Sequence, residues 1–505
     1  MLVLAMSAVA PPAASTAIPP LTLLPCGNAA ECASIPVPLD WAHPDGPHIT
    51  LAFALHRAST PARRIGTLVF LNGTGVSSEQ FVADRIGQGK FPAELINRFD
   101  IVGVDPRGGG THPNNTPIAL PTRSTPLRCD LPPHAPGSSY FPTTDDGYQA
   151  LIAHNRAFAH NCSTRTGGLV EHMDSASQAR DLEAVRRALG EPSISLYAWT
   201  SGNQVALAYL SRYPQHVRAI ALDQPADPDR STWAYLASDA AAVQDEFDRF
   251  VRWCDKTASC VLHGTDIPAA YDQLVAYADR HPIPTSLGFA MTGDEIQMVT
   301  DEILQLGDLV LQGSGPEALT GFGALAAAIE QARQAPKTGG GLPYFEIEWV
   351  NSIGWTGSAE PYRITSCDDL PARPVSLGQF QAWSRSLTRT APDTHGASPA
   401  WEALSGCAGW PLPTAARQHP LPFGPRTPPA LIISSLHSAF AAPQQQKWLH
   451  QRLPGSRLLT YAGDTHVNYL SSTCIRDRLQ DYLITGILPP EETTCPQEGP
   501  LAGHI

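Results

Sequence analysis

Short apolar runs recur along the first half of the chain, and each one ends at a turn. An alternating pattern comes before them, at Ile49, Leu51, Phe53 and Leu55, and it predicts a half-buried strand. The apolar runs themselves occupy residues 66–71, 99–104, 194–199 and 217–222. Because they carry few polar residues, they are typical of strands that are covered on both faces of a sheet.

Helical spacing of apolar residues separates several of these runs. One such stretch covers residues 174–189, with Asp174 or Ser175 as the N-cap and Gly190 as the terminator. Another begins directly after Gly202. Strands that alternate with helices predict the α/β fold class, with a mostly parallel sheet and helices on both faces.

The alternation stops from about residue 225 to about residue 428, a span far longer than an ordinary loop. Apolar periodicity inside this span predicts helices over residues 233–254, 293–306 and 316–335. Strand patterns return at 430–434 and 457–461, and a closing helix is expected over 472–485. We therefore expect a signal-like segment and tether (1–25), a first part of the core (26–224), a helical cap insertion (225–428) and a C-terminal part of the core (429–505).

The region around residue 200 carries the pattern of a nucleophile elbow, in which a strand turns sharply into a helix. In the usual Gly-x-Ser-x-Gly form, two glycines allow a serine to sit on the strained turn. Here Ala198, Thr200 and Gly202 occupy those three positions. Shifting the motif by one residue would make Ser201 the nucleophile, but Asn203 would then replace the second glycine, so we expect the backbone N–H of Ser201 to act as an oxyanion donor instead.

Several further motifs stand in order along the chain, three of them before the elbow and the others after it. They are Val37-Pro38-Leu39-Asp40, Arg107-Gly108, Arg180-Asp181-Leu182, Leu222-Asp223, Thr365-Ser366-Cys367-Asp368-Asp369, Cys407-Ala408-Gly409-Trp410 and the segment 431–495. In these motifs the chain resembles the secreted tripeptidyl aminopeptidase family, which is related to the proline iminopeptidases. The resemblance implies an α/β-hydrolase fold with a cap, a peptide-sized pocket and a Ser-His-Asp triad.

The family pattern assigns three candidate catalytic residues in this chain, Thr200, His466 and His437. His466 matches the family histidine, whereas Thr200 replaces the serine and His437 replaces the acid. The backbone amides of Ser201 and Gly73 are the candidate oxyanion donors. The threonine methyl crowds the path of attack, and a neutral His437 offers His466 no negative charge. We therefore expect a degenerate triad.

Other carboxylates are open alternatives for the missing functions. Asp223 or Asp227 could replace the acid, although a structural role is favoured for both. Glu346 and Glu348 could bind a peptide amino terminus from the cap, as acidic cap residues do in related aminopeptidases, or they could form the solvated face of a strand. A metal site formed by His437, His466 and Asp464 has no supporting ligand spacing, so no metal and no cofactor are predicted.

Three functions are compatible with these residues. The first is an altered or non-hydrolytic enzyme that uses His466 as a general acid or base, with Thr200 as a hydrogen-bond partner. The second is a pseudoenzyme that binds a short peptide or small molecule. The third is a slow, Thr200-dependent peptidase or esterase.

The net charge excludes some classes of partner, and the cysteines indicate the cellular compartment. A net charge of -13 with no basic block argues against nucleic acid and anionic membranes. Ten cysteines without a C-x-x-C pair indicate disulfides, and nearest-neighbour pairing is one possible connectivity. The apolar N-terminus, with Ala8 and Ala10 as a cleavage-like end, predicts a signal segment and a secreted or periplasmic protein. No later run is long enough for an integral membrane segment.

Overall fold

A ten-stranded sheet forms the centre of the computed structural model. The structure describes residues 21–73, 77–86, 91–109, 120–286, 288–307, 310–312, 319–338, 342, 345–346, 359–370, 376–412, 420–465 and 467–498. The sheet strands are β1 (Leu24–Gly27), β2 (Ala30–Pro38), β3 (His48–His56), β4 (Gly66–Leu71), β5 (Phe99–Val104), β6 (Ile194–Trp199), β7 (Val217–Asp223), β12 (Ala430–His437), β13 (Arg457–Asp464) and β14 (Thr493–Cys495). Two short hairpins lie between β7 and β12, namely β8 (Ile283–Pro284) with β9 (Ala290–Met291), and β10 (Val310–Gln312) with β11 (Leu319–Thr320).

The strand order is β1-β2-β3-β5-β4-β6-β7-β12-β13-β14. The first three pairings, β1 with β2, β2 with β3 and β3 with β5, are antiparallel, and every later pairing is parallel. The predicted mostly parallel sheet is thereby confirmed. Parallel order brings the carboxyl ends of β4, β6, β7, β12 and β13 to one edge, where open α/β sheets bind their ligands.

Helices cover both faces of the sheet and fill the span between β7 and β12. Those before β7 are α1 (Ser78–Arg85), α2 (Ala93–Arg98), α3 (Asp145–Thr166), α4 (Ser175–Ala188) and α5 (Gly202–Arg212). Those between β7 and β12 are α6 (Thr232–Lys256), α7 (Ile267–Arg280), α8 (Gly293–Leu304), α9 (Gly321–Thr338), α10 (Ala359–Asp369), α11 (Leu377–Thr390) and α12 (Pro399–Gly406). The last are α13 (Pro443–Arg452), α14 (Asn468–Ser471) and α15 (Thr473–Thr485).

The apolar side chains form three buried clusters, two against the faces of the sheet and one inside the cap. Alternate residues of β6 go to opposite faces, since Leu196 joins one sheet cluster and Tyr197 the other. The cap cluster is built mainly from α6–α9 and α12. It also takes Tyr148 and Leu151 from α3, so the cap draws on a segment before β7 as well as on the insertion.

Local signals placed most element boundaries within a few residues. β4 and β5 match the predicted strands, and Asp174 caps α4 by accepting from the Ser177 amide at 2.8 Å. The helix expected from residue 316 begins only at Gly321, because Leu319 and Thr320 pair with β10. No helix in the described part of the chain is long and apolar enough to cross a bilayer.

All ten cysteines are paired, each with its nearest neighbour along the chain. The bonds are Cys26–Cys32, Cys129–Cys162, Cys254–Cys260, Cys367–Cys407 and Cys474–Cys495. Nearest-neighbour pairing closes only local loops, so each bond braces one region of the chain.

Loop length predicts how much each disulfide stabilises the protein. Cys367 and Cys407 are separated by 40 residues, whereas Cys26 and Cys32 are separated by 6. A longer loop restricts the unfolded chain more, so replacing the first pair by serine should cost about 4 kcal/mol of unfolding free energy, and replacing the second pair about 2 kcal/mol. Urea unfolding of both double variants checks this. Equal losses would mean that loop entropy does not set the difference.

Candidate functional site

The turn between β6 and α5 holds Thr200 in the left-handed backbone region, with φ at 49°. Ser201 has φ -67° and ψ -15°, which is ordinary right-handed helical backbone. Few non-glycine residues adopt positive φ, and a β-branched residue does so only under constraint. The apex of the elbow is therefore Thr200, and Ser201 is the first residue on the helical side.

Two glycines allow the elbow to pack against the end of β4. A Cβ atom on Gly202 would lie 2.5 Å from the carbonyl oxygens of both Leu71 and Asn72, so only glycine fits there. A Cβ atom on Gly73 would lie 2.5 Å from Thr200 Oγ1 and 3.3 Å from Ser201 Oγ. Gly73 and Thr200 are thus in direct proximity, as an oxyanion turn and an elbow apex would be.

The hydroxyl of Thr200 is buried and has no hydrogen-bond partner in the described part of the chain. The neighbouring amide donor is already engaged, because the Gly73 N–H donates to Asn72 Oδ1 at 2.7 Å. Trp199 Nε1 donates to the same oxygen at 2.5 Å. The Gly73 N–H, which the sequence predicts as an oxyanion donor, is therefore already bonded to the side chain of Asn72.

A cavity of about 190 Å³ opens beside the elbow and extends under the cap. Its lining includes Thr200 and Ser201 from the elbow, Gln224 from the end of β7, and residues of α6 and α10 from the cap. The cap residues that matter most for its chemistry are Tyr235, Asp239 and Tyr362. Two aromatic rings and a carboxylate therefore line one part of this cavity.

Asp239 is a buried acid with spare hydrogen-bonding capacity. The Ala400 N–H donates to Asp239 Oδ2 at 2.9 Å, whereas Oδ1 has no hydrogen bond of good geometry in the described residues. Burial raises the pKa of Asp239 to about 7, and the amides of Ala400 and Ala442 oppose that rise. The carboxyl group can therefore change charge near neutral pH.

His437, which the sequence resemblance predicts at the acid position, lies at the end of β12 and faces α6. Its Nδ1 is 2.5 Å from Asp245 Oδ2, on α6. Glu246, the next residue of α6, is fully buried, and neither of its carboxylate oxygens accepts a hydrogen bond of good geometry from the described residues. Burial, followed by repulsion from Asp464, raises the pKa of Glu246 well above its usual range.

The two carboxylates after β7 that could replace the acid are both engaged. Asp223 accepts from Asn468 Nδ2 at 2.9 Å, from the Tyr469 N–H at 3.1 Å and from the Tyr197 hydroxyl at 3.2 Å. Burial raises its pKa to about 6. Asp227 accepts from Arg230 Nε at 3.1 Å and from Arg452 Nη1. These contacts fit the structural roles favoured from the sequence.

Sequence reasoning missed Gln224, which joins three strand ends. It follows β7 with φ at 54°, and its Nε2 donates to Ser435 Oγ at 3.2 Å and to the carbonyl of Thr465. Its Oε1 accepts from Ser438 Oγ at 2.6 Å. Gln224 and Asp223 together hold the backbone on both sides of position 466. No motif marks Gln224, because its role depends on neighbours about 211 to 241 positions away.

The remaining candidates divide into two groups. His466 and Glu348 lie outside the described residues. Glu346 is buried, and its carboxylate accepts from the Leu342 N–H at 2.7 Å, the Ser286 N–H at 3.0 Å and Ser286 Oγ. Neither solvated nor free, Glu346 holds the cap together, and its carboxylate has little capacity left for a ligand amine.

Comparisons with known proteins identify the relatives of this fold and site. Residues 66–266 match the sequence model of the α/β hydrolase fold, and residues 392–495 match that of the TAP-like protein family. The tripeptidyl aminopeptidase of Streptomyces lividans is 29% identical over 484 residues, which covers 92% of this chain and 83% of that protein. These matches and relatives support a TAP-like α/β-hydrolase family for the chain.

Other relatives of this chain carry different functional names. Serine protease Hip1 of Mycobacterium tuberculosis is 25% identical over 504 residues, covering 92% of this chain and 87% of that protein. Carboxylesterase B of the same organism is 28% identical over 484 residues, with 92% and 86% coverage. The relatives of this chain are therefore named as peptidases and as an esterase, and their names leave the reaction of this chain open.

The Thr200 hydroxyl is buried without a hydrogen bond to the described residues, which predicts that its removal stabilises the protein. Thr200→Val keeps the shape and the β-branch but removes a buried hydroxyl that has no partner, so we expect the free energy of unfolding to rise by about 1 kcal/mol. Urea unfolding monitored by tryptophan fluorescence measures the change.

Thr365 provides the matched control, because it also lines the cavity but its Oγ1 donates to the Met173 carbonyl at 3.2 Å. Thr365→Val should lower the unfolding free energy by about 1 kcal/mol. A loss of stability in Thr200→Val would contradict the prediction and would indicate that the Thr200 hydroxyl has a partner.

Proposed function

We propose that this protein uses the cavity under its cap to bind a short peptide or small molecule with a free amino group, and that Thr200 does not act as a hydrolytic nucleophile. The observation that carries the proposal is the buried hydroxyl of Thr200, which lies against Gly73 and has no hydrogen-bond partner among the described residues. We also propose that the protein works in an oxidising compartment, secreted or periplasmic, which its paired cysteines support.

Hydrolysis by a triad needs three features at the elbow. A base must remove the hydroxyl proton, a carboxylate must hold that base, and amide donors must be free to bind the oxyanion. Thr200 Oγ1 has no base bonded to it among the described residues, and Asn72 engages the Gly73 N–H. The acid position holds His437, which is bonded to Asp245. Each of these features works against acyl transfer at Thr200.

The amine preference follows from the cap side of the cavity. Asp239, Tyr235 and Tyr362 line the same cavity. Among the described residues, Asp239 Oδ1 has no hydrogen bond of good geometry. A substrate ammonium in this part of the cavity would favour the ionised form of Asp239 by charge attraction and would contact aromatic rings, which favour cations. In this proposal Asp239 takes the role that we expected for Glu346 from the sequence.

The proposal predicts a selective and pH-dependent affinity. A tripeptide with a free amino terminus should bind more tightly than its N-acetylated form, and its affinity should rise several-fold as the pH goes from about 6 to about 7.5. The reason is that Asp239, with a pKa of about 7, loses its proton over this range while an α-amino group stays mostly charged. Isothermal titration calorimetry at several pH values checks both expectations.

Asp239→Asn should remove the preference for the free amine and the pH dependence together. The matched control is Asp369→Asn, because Asp369 also lines the cavity but accepts from the Ser175 N–H at 3.1 Å and from Ser175 Oγ at 2.5 Å. Equal affinity of the wild type for the free and the acetylated peptide would rule out the amine site.

The alternative of a slow, threonine-dependent hydrolase makes the opposite prediction for active-site labelling. With Thr200 Oγ1 buried, we expect a fluorescent fluorophosphonate not to label the wild-type protein. Gel fluorescence measures labelling, with a TAP-like peptidase as the positive control. Labelling that disappears in Thr200→Ala would establish Thr200 as a nucleophile and overturn the proposal.

The other alternative is an altered enzyme that uses His466 as acid or base. A test for chemical conversion of the ligand distinguishes it from our proposal. Under our proposal, a bound ligand is recovered chemically unchanged after prolonged incubation, as mass spectrometry would measure. Conversion that is lost in His466→Ala would favour the altered enzyme.

A further inference from the structure

A cluster of three potential metal ligands lies where the cap meets the sheet. Asp245, Glu246 and His437 each offer one ligand atom, and these atoms lie within 4.8 Å of one another. Asp245 and Glu246 come from α6, and His437 ends β12. Two carboxylates and an imidazole from two separate elements thus converge at one point.

The buried member of this cluster provides an independent indication of a ligand. Glu246 has a side chain with no exposed surface, and neither carboxylate oxygen has a hydrogen bond of good geometry in the described residues. Burying a carboxylate without partners is costly, and proteins normally offset that cost with hydrogen bonds, a paired charge or a metal ion. The Arg249 guanidinium offsets part of that cost as an ion pair, with its Nε 3.4 Å from Glu246 Oε2, but it leaves both oxygens without a well-formed hydrogen bond among the described residues.

The charges around the cluster leave room for a cation. Asp464, the sheet-register partner of His437, adds a third carboxylate beside Glu246 and accepts from Arg249 Nη2 at 2.9 Å. Arg249 is the guanidinium paired with these acids. Three carboxyl groups therefore surround one guanidinium, and together they offer oxygen ligands and negative charge to a further cation.

We propose that Asp245, Glu246 and His437 bind a divalent transition-metal ion, with Zn²⁺ as the first candidate. Imidazole nitrogen together with carboxylate oxygens suits such ions, whereas Ca²⁺ and Mg²⁺ prefer oxygen-only sites with more ligands. Ligands of tetrahedral zinc stand about 3.4 Å apart, so a small movement closes the site. Asp245 and His437, both partly exposed, can make that movement.

The bound metal would join the cap to the sheet, because its ligands come from a cap helix and a sheet strand. His437, the ligand on β12, stands where the family pattern places the triad acid. In this protein the cap side chains that meet His437 would thus bind a metal, and no step of the proposed ligand binding depends on it.

The experiment titrates chelator-treated, full-length protein with Zn²⁺, Mn²⁺ and Ca²⁺ separately by calorimetry. We expect one Zn²⁺ equivalent to bind, with Ca²⁺ at least about tenfold weaker, and Co²⁺ substitution to give visible d–d absorption. His437→Ala, Asp245→Asn and Glu246→Gln should each weaken Zn²⁺ binding more than about tenfold. Asp245 is partly exposed, so its substitution should fold normally even if Glu246→Gln does not.

His395→Ala is the matched control. His395 Nε2 lies 3.0 Å from Asp272 Oδ1, so it forms a similar histidine–carboxylate pair, but this pair does not belong to a three-ligand cluster among the described residues. Its Zn²⁺ affinity should equal that of the wild type. The proposal is overturned if the wild type binds no Zn²⁺ equivalent, if Asp245→Asn and His437→Ala bind Zn²⁺ as the wild type does, or if Ca²⁺ binds equally well.

Discussion

The positive φ of Thr200 is the constraint on which the site depends. A parallel strand and its following helix change direction within one residue, and Gly202 packs against the carbonyls of Leu71 and Asn72 without spare room. The turn therefore cannot relax by moving outward. A β-branched residue keeps this disfavoured backbone because the surrounding sheet and helix over-determine it. The direction of its hydroxyl, toward Gly73, follows from the same packing.

Several buried hydrogen bonds hold the backbone around the site, whereas the Thr200 hydroxyl has no hydrogen bond to the described residues. Asp223 and Gln224 fix the backbone on both sides of position 466, and they do so with buried hydrogen bonds to the ends of β12 and β13 and to α14. Such bonds are costly to leave unmade, so they hold the loop whatever reaction occurs there. The hydrogen bonds that hold this part of the fold therefore do not depend on which residue stands at position 200 or 437.

The cap has its own buried core, yet its most unusual contact with the sheet is polar. α6 packs one face into the cap core, through Val243, Phe247 and Phe250, and directs Asp245 and Arg249 to the ends of β12 and β13. Helix α6 therefore contributes to the core of the cap and also contacts the sheet. Its apolar face holds the cap together, and its charged residues determine the electrostatics at the acid position of the family.

Sequence by itself determined the fold class and the strand–turn–helix around residue 200, because these rest on local signals. Apolar runs mark buried strands, helical spacing marks helices, and the close packing that requires Gly202 coincides with a short motif. The sequence also placed Thr200 rather than Ser201 at the apex, and the backbone angles agree.

Only the tertiary structure decided which side chains meet at the site. His437 and Asp245 are 192 positions apart, and Gln224 and Thr465 are 241 apart, so no spacing rule could pair them. Glu346 could be assigned a burial state only when its partners were known, since a carboxylate that binds amides and one that awaits a ligand look alike in sequence. The physical reason is that hydrogen bonding and desolvation depend on three-dimensional neighbours, whereas periodicity depends only on the chain.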